Sequence, residues 1–306
     1  MMRLNRPMTR FSFFARPRQD GRFHIRPTRE SDEYAVDRLL RQARLCSVAL
    51  EWWSAREWLT HPGFLVLTDR RDRPVALALA AADDSPVAWL RAVAADSERL
   101  LPALLEASLQ ATMAQACSAL AALGAQNWLL TPIQRLGFRQ VNRVVTLRLN
   151  RPWQFQTGPA ALRVRPATGA DLPGIAAVDR AAFEPLWWYS LQMLERGLDL
   201  AHCFHAVLVG SECVGYQFST LRNGRGHIVR LAVHPRWQGQ GIGARLLGEA
   251  LTALRRAGAE EITVNTQENN WPSLKLYRTF GFDPTGDSWT VWLRSWTTCD
   301  ARAEQL

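Results

Sequence analysis

Residues 23–150 and 161–299 carry the same pattern in the same order, and this constrains the fold more than any other feature of the 306-residue chain. Ile25-Arg26-Pro27 followed by Asp32 recurs 139 residues on as Val164-Arg165-Pro166 followed by Asp171. At the same offset, Leu90-Arg91-Ala92-Val93-Ala94 lies over Val229-Arg230-Leu231-Ala232-Val233. Near the end of each unit, Leu136-Gly137-Phe138 matches Phe280-Gly281-Phe282, now 144 residues on. Three matches in one order indicate one fold written twice. The linker 151–160, with Pro152, Gly158 and Pro159 as punctuation, joins the copies. Residues 1–22, basic and expected to be disordered, and 300–306 are read as tails.

The second copy shows its elements more clearly. Leu162–Arg165 reads as a strand, with Asp171 as N-cap of a helix from Leu172 to about Phe183 and a shorter helix over Leu191–Arg196. Cys203–Val209 and Cys213–Leu221 form a hairpin around Gly210-Ser211-Glu212, with Cys213 opposite about Val209 or Gly210 and unable to reach Cys203. His227–Val233 and Glu261–Thr266 are strands, Gly243–Ala257 and Pro272–Thr279 helices, and Ser288–Leu293 a closing strand. Helices, then antiparallel strands, then strand–helix–strand make an α+β layout.

Composition excludes several function classes. The net charge of +9 comes almost wholly from arginine, Lys275 being the sole lysine, but the cations are scattered and interleaved with acids. Nucleic-acid recognition needs them clustered with aromatics, so no nucleic-acid partner is expected. The longest apolar run, Val75 to Ala82, is strand-sized and falls well short of the ~20 residues that cross a bilayer, so no membrane partner is expected either. Phe11 to Ala15 is too short for the apolar centre of a secretory signal. Five cysteines without a CxxC spacing argue against a disulfide framework and against a metal site, and for a reducing, cytoplasmic location.

The chemistry concentrates in Leu231-Ala232-Val233-His234-Pro235-Arg236-Trp237-Gln238-Gly239-Gln240-Gly241-Ile242-Gly243-Ala244. A strand enters a loop of alternating glycines, and a helix begins there. Glycine lets backbone N–H groups converge on an anion, and the helix N-terminus adds partial positive charge. The implied ligand carries a phosphate or pyrophosphate. Gly239, Gly241 and Ala244 formally satisfy the dinucleotide fingerprint, but five residues separate Val233 from Gly239, and Glu260-Glu261 begin a strand where the ribose-binding acid should end one. No Gly-Lys-Ser/Thr follows, so the P-loop pattern fails.

These residues resemble the GNAT superfamily of acyl-CoA-dependent N-acyltransferases. The family's Q/R-x-x-G-x-G/A after an L-x-V-x-P strand end matches Gln238-Gly239-Gln240-Gly241-Ile242-Gly243 after Leu231-Ala232-Val233-His234-Pro235. Its N-x-x-A/S-x-x-L-Y-x-x-x-G-F element matches Asn270, Ser273, Leu276, Tyr277, Gly281 and Phe282. The resemblance covers roughly 162–296, and 23–150 only through the repeat. It implies two GNAT-like domains, each a mixed, mostly antiparallel twisted sheet with flanking helices, and transfer of acetyl from acetyl-CoA to an amine in a cleft between splayed parallel strands.

Carried onto this sequence, the resemblance pairs the backbone of Leu231, Ala232 and Val233 with the pantetheine arm. The N–H groups of Gln238, Gly239, Gln240, Gly241, Ile242, Gly243 and Ala244 hold the pyrophosphate, Asn270 and Ser273 lie across the cleft, and Tyr277 is the general acid. Family members that acetylate ribosomal-protein N-termini carry a glutamate where Asn265 stands, so the base is open between His227 and Glu268. Glu184, Trp187 and Trp188, in the segment between the first two helices, are candidate acceptor contacts, with Asn265 a further one.

In the first copy the glycine loop falls on Ser97–Leu104, without a glycine and with Glu98 facing any phosphate, and Ile133 stands in the place of Tyr277. That copy reads as degenerate, either walling the acceptor site or serving as an internal pseudo-dimer partner in a monomer. The expected partner is a primary amine on a small molecule or peptide. Two alternatives stand beside this reading: a non-catalytic acyl-CoA-binding regulator, and an aminosugar-conjugate acetyltransferase like the mycothiol synthases, which share the two-domain plan.

Overall fold

A computed structural model describes residues 22–50, 52–115, 117–150 and 163–296. The tails, the linker and Cys299 lie outside the described residues. The first copy runs β1 (His24–Pro27), α1 (Glu33–Gln42), β2 (Leu45–Val48), β3 (Phe64–Thr68), β4 (Pro74–Ala82), β5 (Val87–Ala95), α2 (Leu101–Met113), β6 (Ala119–Leu123), α3 (Asn127–Arg135) and β7 (Arg139–Leu149). The second runs β8 (Arg163–Pro166), α4 (Leu172–Ala182), α5 (Leu191–Leu200), β9 (Cys203–Val209), β10 (Glu212–Arg222), β11 (Arg225–Val233), α6 (Ile242–Arg256), β12 (Glu261–Gln267), α7 (Trp271–Thr279) and β13 (Phe282–Ser295). The class is α+β, a large, mostly antiparallel sheet with flanking helices.

The first repeated motif has a physical job in both copies. Arg26 forks onto Asp32 at 2.7 and 2.9 Å, and Arg165 onto Asp171 at 2.8 and 2.6 Å. Each carboxylate also accepts the N–H three residues back, from Arg29 or Thr168, which turns the chain into its first helix. This corrects the expected role of Asp171. Its oxygens are held by Arg165 and Thr168, so it makes no side-chain cap onto α4. The hairpin register also differs by a residue: the two-residue turn Gly210-Ser211 sets Glu212 opposite Val209 and so Cys213 opposite Leu208, and a bulge follows before Gly215.

The two copies share one sheet, in the order β1-β3-β4-β5-β6-β13-β7-β12-β11-β10-β9-β8. Each copy's closing strand has crossed to the other. β7 pairs with β12 through Thr263↔Arg148 to Gln267↔Val144, while β13 pairs with β6 through Val291↔Leu123 to Ser295↔Ala119. β7 and β13 run antiparallel to each other at the centre. Each core therefore contains the other copy's side chains. Leu147 and Leu149 are buried with Leu247, Leu251 and Phe282, and Trp296 closes the first copy's core, its indole donating to the Cys117 carbonyl at 2.8 Å.

Both copies also split a parallel pair. β11 and β12 pair only from Arg225↔Glu261 to Ile228↔Val264, yet β11 continues to Val233 and β12 to Gln267. β5 and β6 pair only from Val87↔Ala119 to Trp89↔Ala121. In the first copy the exposed edge of β5 is then taken by β2, with Leu45–Val48 opposite Ala95–Ala92. In the second copy the segment 139 residues after β2 is Glu184-Pro185-Leu186-Trp187. It forms a short 3-10 turn, and Pro185 lacks the N–H a strand would need. That edge of β11 is left free.

Candidate active site

The free edge of β11 leads into the glycine loop. Gly239 and Gly241 sit at φ +76° and +80°, a region other residues adopt only with strain. Gly241 is the residue before α6, so the helix opens with its N–H groups pointing back toward the split. From Gly239 to Ala244, no backbone N–H bonds to another group among the described residues. Gln238 folds back instead, its Nε2 donating to the Val233 carbonyl at 3.0 Å. Leu231, Ala232 and Val233 all lie beyond the last β11–β12 pair.

Across the split, Asn270 begins α7. Its Oδ1 accepts from Ser273 N–H and its Nδ2 donates to Gln267 Oε1, both at 3.3 Å, so it is a helix cap at the rim. Tyr277 lies two turns further on, packed against Phe282 and only 4 % exposed. Its hydroxyl makes no hydrogen bond among the described residues. Burial pushes the phenol above its ordinary value, and the charge of Arg230 offsets part of that rise.

The face of the sheet opposite α6 and α7 gathers the remaining polar groups. His227 and Thr263 are register partners, with Nδ1 2.9 Å from Oγ1. Burial holds the imidazole below its ordinary value, so it is neutral near pH 7. Asn265 points to the same side of β12 as Thr263, and its Oδ1 accepts from Thr146 Oγ1 of the exchanged strand at 2.9 Å. Glu268 stands apart at the outer end. Its N–H bonds the Arg143 carbonyl, and its exposed carboxylate is 3.8 Å from the Arg143 guanidinium.

Glu184 is exposed at the start of its 3-10 turn. Both tryptophans have partners within the protein. Trp187 packs on Trp89 of the first copy, ring centres 5.8 Å apart, and Trp188 donates to the Phe183 carbonyl at 2.8 Å. Ser85 donates to the Pro185 carbonyl at 2.8 Å, and Trp53 Nε1 to Met193 Sδ at 3.2 Å. The first copy thus braces the segment between α4 and α5 from behind.

What fastens that segment to the sheet is Arg230, which was visible in the sequence only as a partner of Arg91. Its guanidinium lies between Phe183 and Tyr189, 3.6 and 4.1 Å from their ring centres. It donates to the Trp187 carbonyl at 2.6 Å and to Asp179 at 2.8 Å. Asp179, fully buried, also accepts from Tyr216 Oη at 2.5 Å and Tyr189 N–H at 2.9 Å. Arg91 is likewise buried and stacks on Trp58 at 5.1 Å. An arginine in an apolar strand of both copies was the available signal. Asp179→Ala is expected to lower stability in urea titration by ~3–5 kcal/mol, since it strands a buried charge, and Asp179→Leu with Arg230→Met should recover most of it. Equal losses in both variants would mean that packing, not charge, is at stake.

Comparison with known proteins follows the same outline. Residues 174–282 match the Acetyltransferase (GNAT) family. An N-alpha-acetyltransferase of Sulfolobus acidocaldarius is 29% identical over 133 residues, covering 39% of this chain and 79% of that protein. A GCN5-related N-acetyltransferase from Sphaerobacter thermophilus superposes with a TM-score of 0.58 at 17% identity, over 90% of this chain and 96% of that one. A tandem GNAT protein from the clavulanic acid biosynthesis pathway gives a TM-score of 0.58 at 14% identity, over 89% and 98%. At such identities the two structures establish the fold alone.

Proposed function

We propose that this chain, whose second copy is an acetyltransferase domain of the GNAT family, moves an acetyl group directly from acetyl-CoA to a primary amine, with Tyr277 as general acid and His227 as base. One observation carries the reading: β11 and β12 stop pairing after Ile228↔Val264, and the free end of β11 leads directly to the unbonded N–H groups that open α6. The pantetheine arm would add to the free edge of β11 as a strand does, displacing Gln238 from Val233, while the pyrophosphate meets the N–H groups of Gly239 to Ala244. The neutral amine attacks the thioester carbonyl and gives up a proton to His227, the C–S bond breaks, and the leaving sulfur takes the Tyr277 proton, which solvent then replaces. Of the two base candidates, Glu268 is exposed and paired with Arg143, whereas His227 is neutral and faces the same side as Asn265.

An α-amine of pKa ~8 is ~10% neutral at pH 7, against ~0.04% for a lysine side chain, so a site with a weak base suits low-pKa amines. A primary α-amine on a peptide or small molecule is the acceptor class this favours. CoA release across dipeptides, aminosugars and free lysine tests it, and rapid turnover of lysine side chains alone would overturn it. Calorimetry should find one acetyl-CoA per chain, because β2 occupies the corresponding edge of β5. A second equivalent site would overturn the assignment of the first copy as closed.

His227→Gln is expected to lower kcat ~10–10²-fold. The wild-type rate should rise with pH through a value below ~6.5, since the neutral ring is the active form and burial depresses its pKa, and the variant should lose that limb. An unchanged profile would remove His227 from the mechanism.

A further inference from the structure

Where the exchanged strands meet at the far end from Tyr277, they enclose an open cavity of about 480 Å³. Arg135 at the end of α3, Arg139 at the start of β7 and Arg294 near the end of β13 all line it, with Gly137 between the first two. None of the three guanidinium groups has a carboxylate within ion-pair distance among the described residues. Arg294 lies flat against Gly137, where a Cβ would stand 3.4 Å from its Cδ and Nε. Its Nη1 donates to the Ser295 carbonyl at 3.0 Å, but its Nε is buried without a partner.

The duplication shows what this position needs for folding alone. Moved by the 144-residue offset of the Leu-Gly-Phe match, Arg135 falls on Thr279 and Arg139 on Asp283, while Arg294 falls back on Asn150. The equivalent end of the sheet, with the same turn and the same two strands in exchanged roles, is built from a hydroxyl, an acid and an amide. Three arginines around one cavity are therefore no requirement of the fold. Like charges held together around a cavity repel one another unless a counter-anion joins them. Guanidinium forks match phosphate oxygens two at a time, and three of them suit more than one negative charge.

We propose that this cavity is a binding site for an oligophosphate, either inorganic or the phosphate chain of a nucleotide, separate from the glycine loop and independent of the acetyl-transfer reading. The bound anion would tie α3, β7 and β13 together where the two copies interlock. The experiment uses the full chain, with tripolyphosphate and ATP as probes followed by calorimetry and thermal melting, and citrate as a non-phosphate control. Arg139→Asp installs the residue that the second copy carries, Asp283, and Arg294→Asn the one that the first copy carries, Asn150, so both suit the fold. Gly239→Asp places an acid in the glycine loop. The expected result is one tripolyphosphate per chain, a raised melting temperature, at least tenfold weaker binding in both arginine variants, and no change in Gly239→Asp. Tighter binding of ATP than of tripolyphosphate identifies a nucleotide as the source, and equal binding identifies the phosphate chain itself. Binding that survives Arg139→Asp and Arg294→Asn, binding lost in Gly239→Asp, or citrate binding as tightly as tripolyphosphate would each overturn the proposal.

Discussion

A chain that begins at Ala160 is expected to release no CoA, whereas one that begins at Leu136 should recover folding and part of the activity. The second copy by itself reaches from β8 to β13, but the strand beside β12 is β7 of the first copy. Without it, β12 becomes a bare sheet edge and β13 loses its partner from Phe282 to Leu293. The core under α6 and α7 loses Leu147 and Leu149. Cutting one buried leucine to alanine typically costs ~2–5 kcal/mol, and a domain holds only ~5–15 kcal/mol in all, so losing both with their strand should abolish the fold. The rim of the cleft loses its supports as well, since Thr146 bonds Asn265, Asn142 bonds Asn269, and the Arg143 carbonyl accepts from Glu268 N–H.

Starting at Leu136 restores β7 through the chain's own linker. It still leaves β13 unpaired where β6 stood and takes Cys117 away from Trp296, so recovery should be incomplete. Full activity from the chain beginning at Ala160 would show that β7 is dispensable. No activity from either would show that the first copy acts through more than its closing strand.

The exchange also marks where reading residues in order stops being informative. Periodicity and glycine placement located the helices and strands around the cleft, because those signals are local: α6 at Ile242–Arg256 and β9 at Cys203–Val209 follow from them almost to the residue. The repeat itself encoded a physical device, the Arg26–Asp32 and Arg165–Asp171 forks. Which sheet a closing strand joins is not local. β7 and β13 each close a copy after the same helix and Gly-Phe turn, so no local signal tells which neighbour each strand joins. β2 was invisible for the same reason, since a four-residue strand is defined by the open edge of β5 that receives it. Trp187 and Trp188 are candidate acceptor contacts because aromatics beside a cleft often are. Their positions are set by Trp89 and the Phe183 carbonyl, partners that no spacing reveals.

Tyr277→Phe should reduce kcat by ~10²–10⁴ while leaving the KM for acetyl-CoA and the stability little changed. The stability half follows from packing. Phenylalanine keeps the ring against Phe282, and the hydroxyl it removes has no partner among the described residues to strand. The rate half is less obvious, because burial raises the phenol above its usual ~10 while a thiol sits near ~8.5. A proton moving between them at equilibrium climbs more than ~1.5 units, or about 2 kcal/mol. Tyr277 therefore cannot act by being a strong acid. On the proposed reading it would stay protonated at working pH and hold its O–H toward the sulfur, so that its hydrogen bond would strengthen only as the C–S bond breaks and charge appears there.

That account makes a sharper demand than a loss of rate. If the phenol answers charge on the departing sulfur, its contribution should shrink as the leaving thiol becomes more acidic. Acetyl thioesters of lower-pKa thiols should therefore narrow the gap between wild type and Tyr277→Phe. A gap that stays constant across the series would mean that the hydroxyl only positions the thioester, and the proton would have to come from elsewhere. The Arg230 network enters at this point, since its charge partly offsets the rise in the phenol's pKa. Arg230→Met made together with Asp179→Leu, which strands no buried charge, should weaken the donor by removing that help, so the same thioester series should show a steeper dependence on leaving-group pKa in that variant than in wild type. Identical slopes would confine Arg230 to holding the segment between α4 and α5.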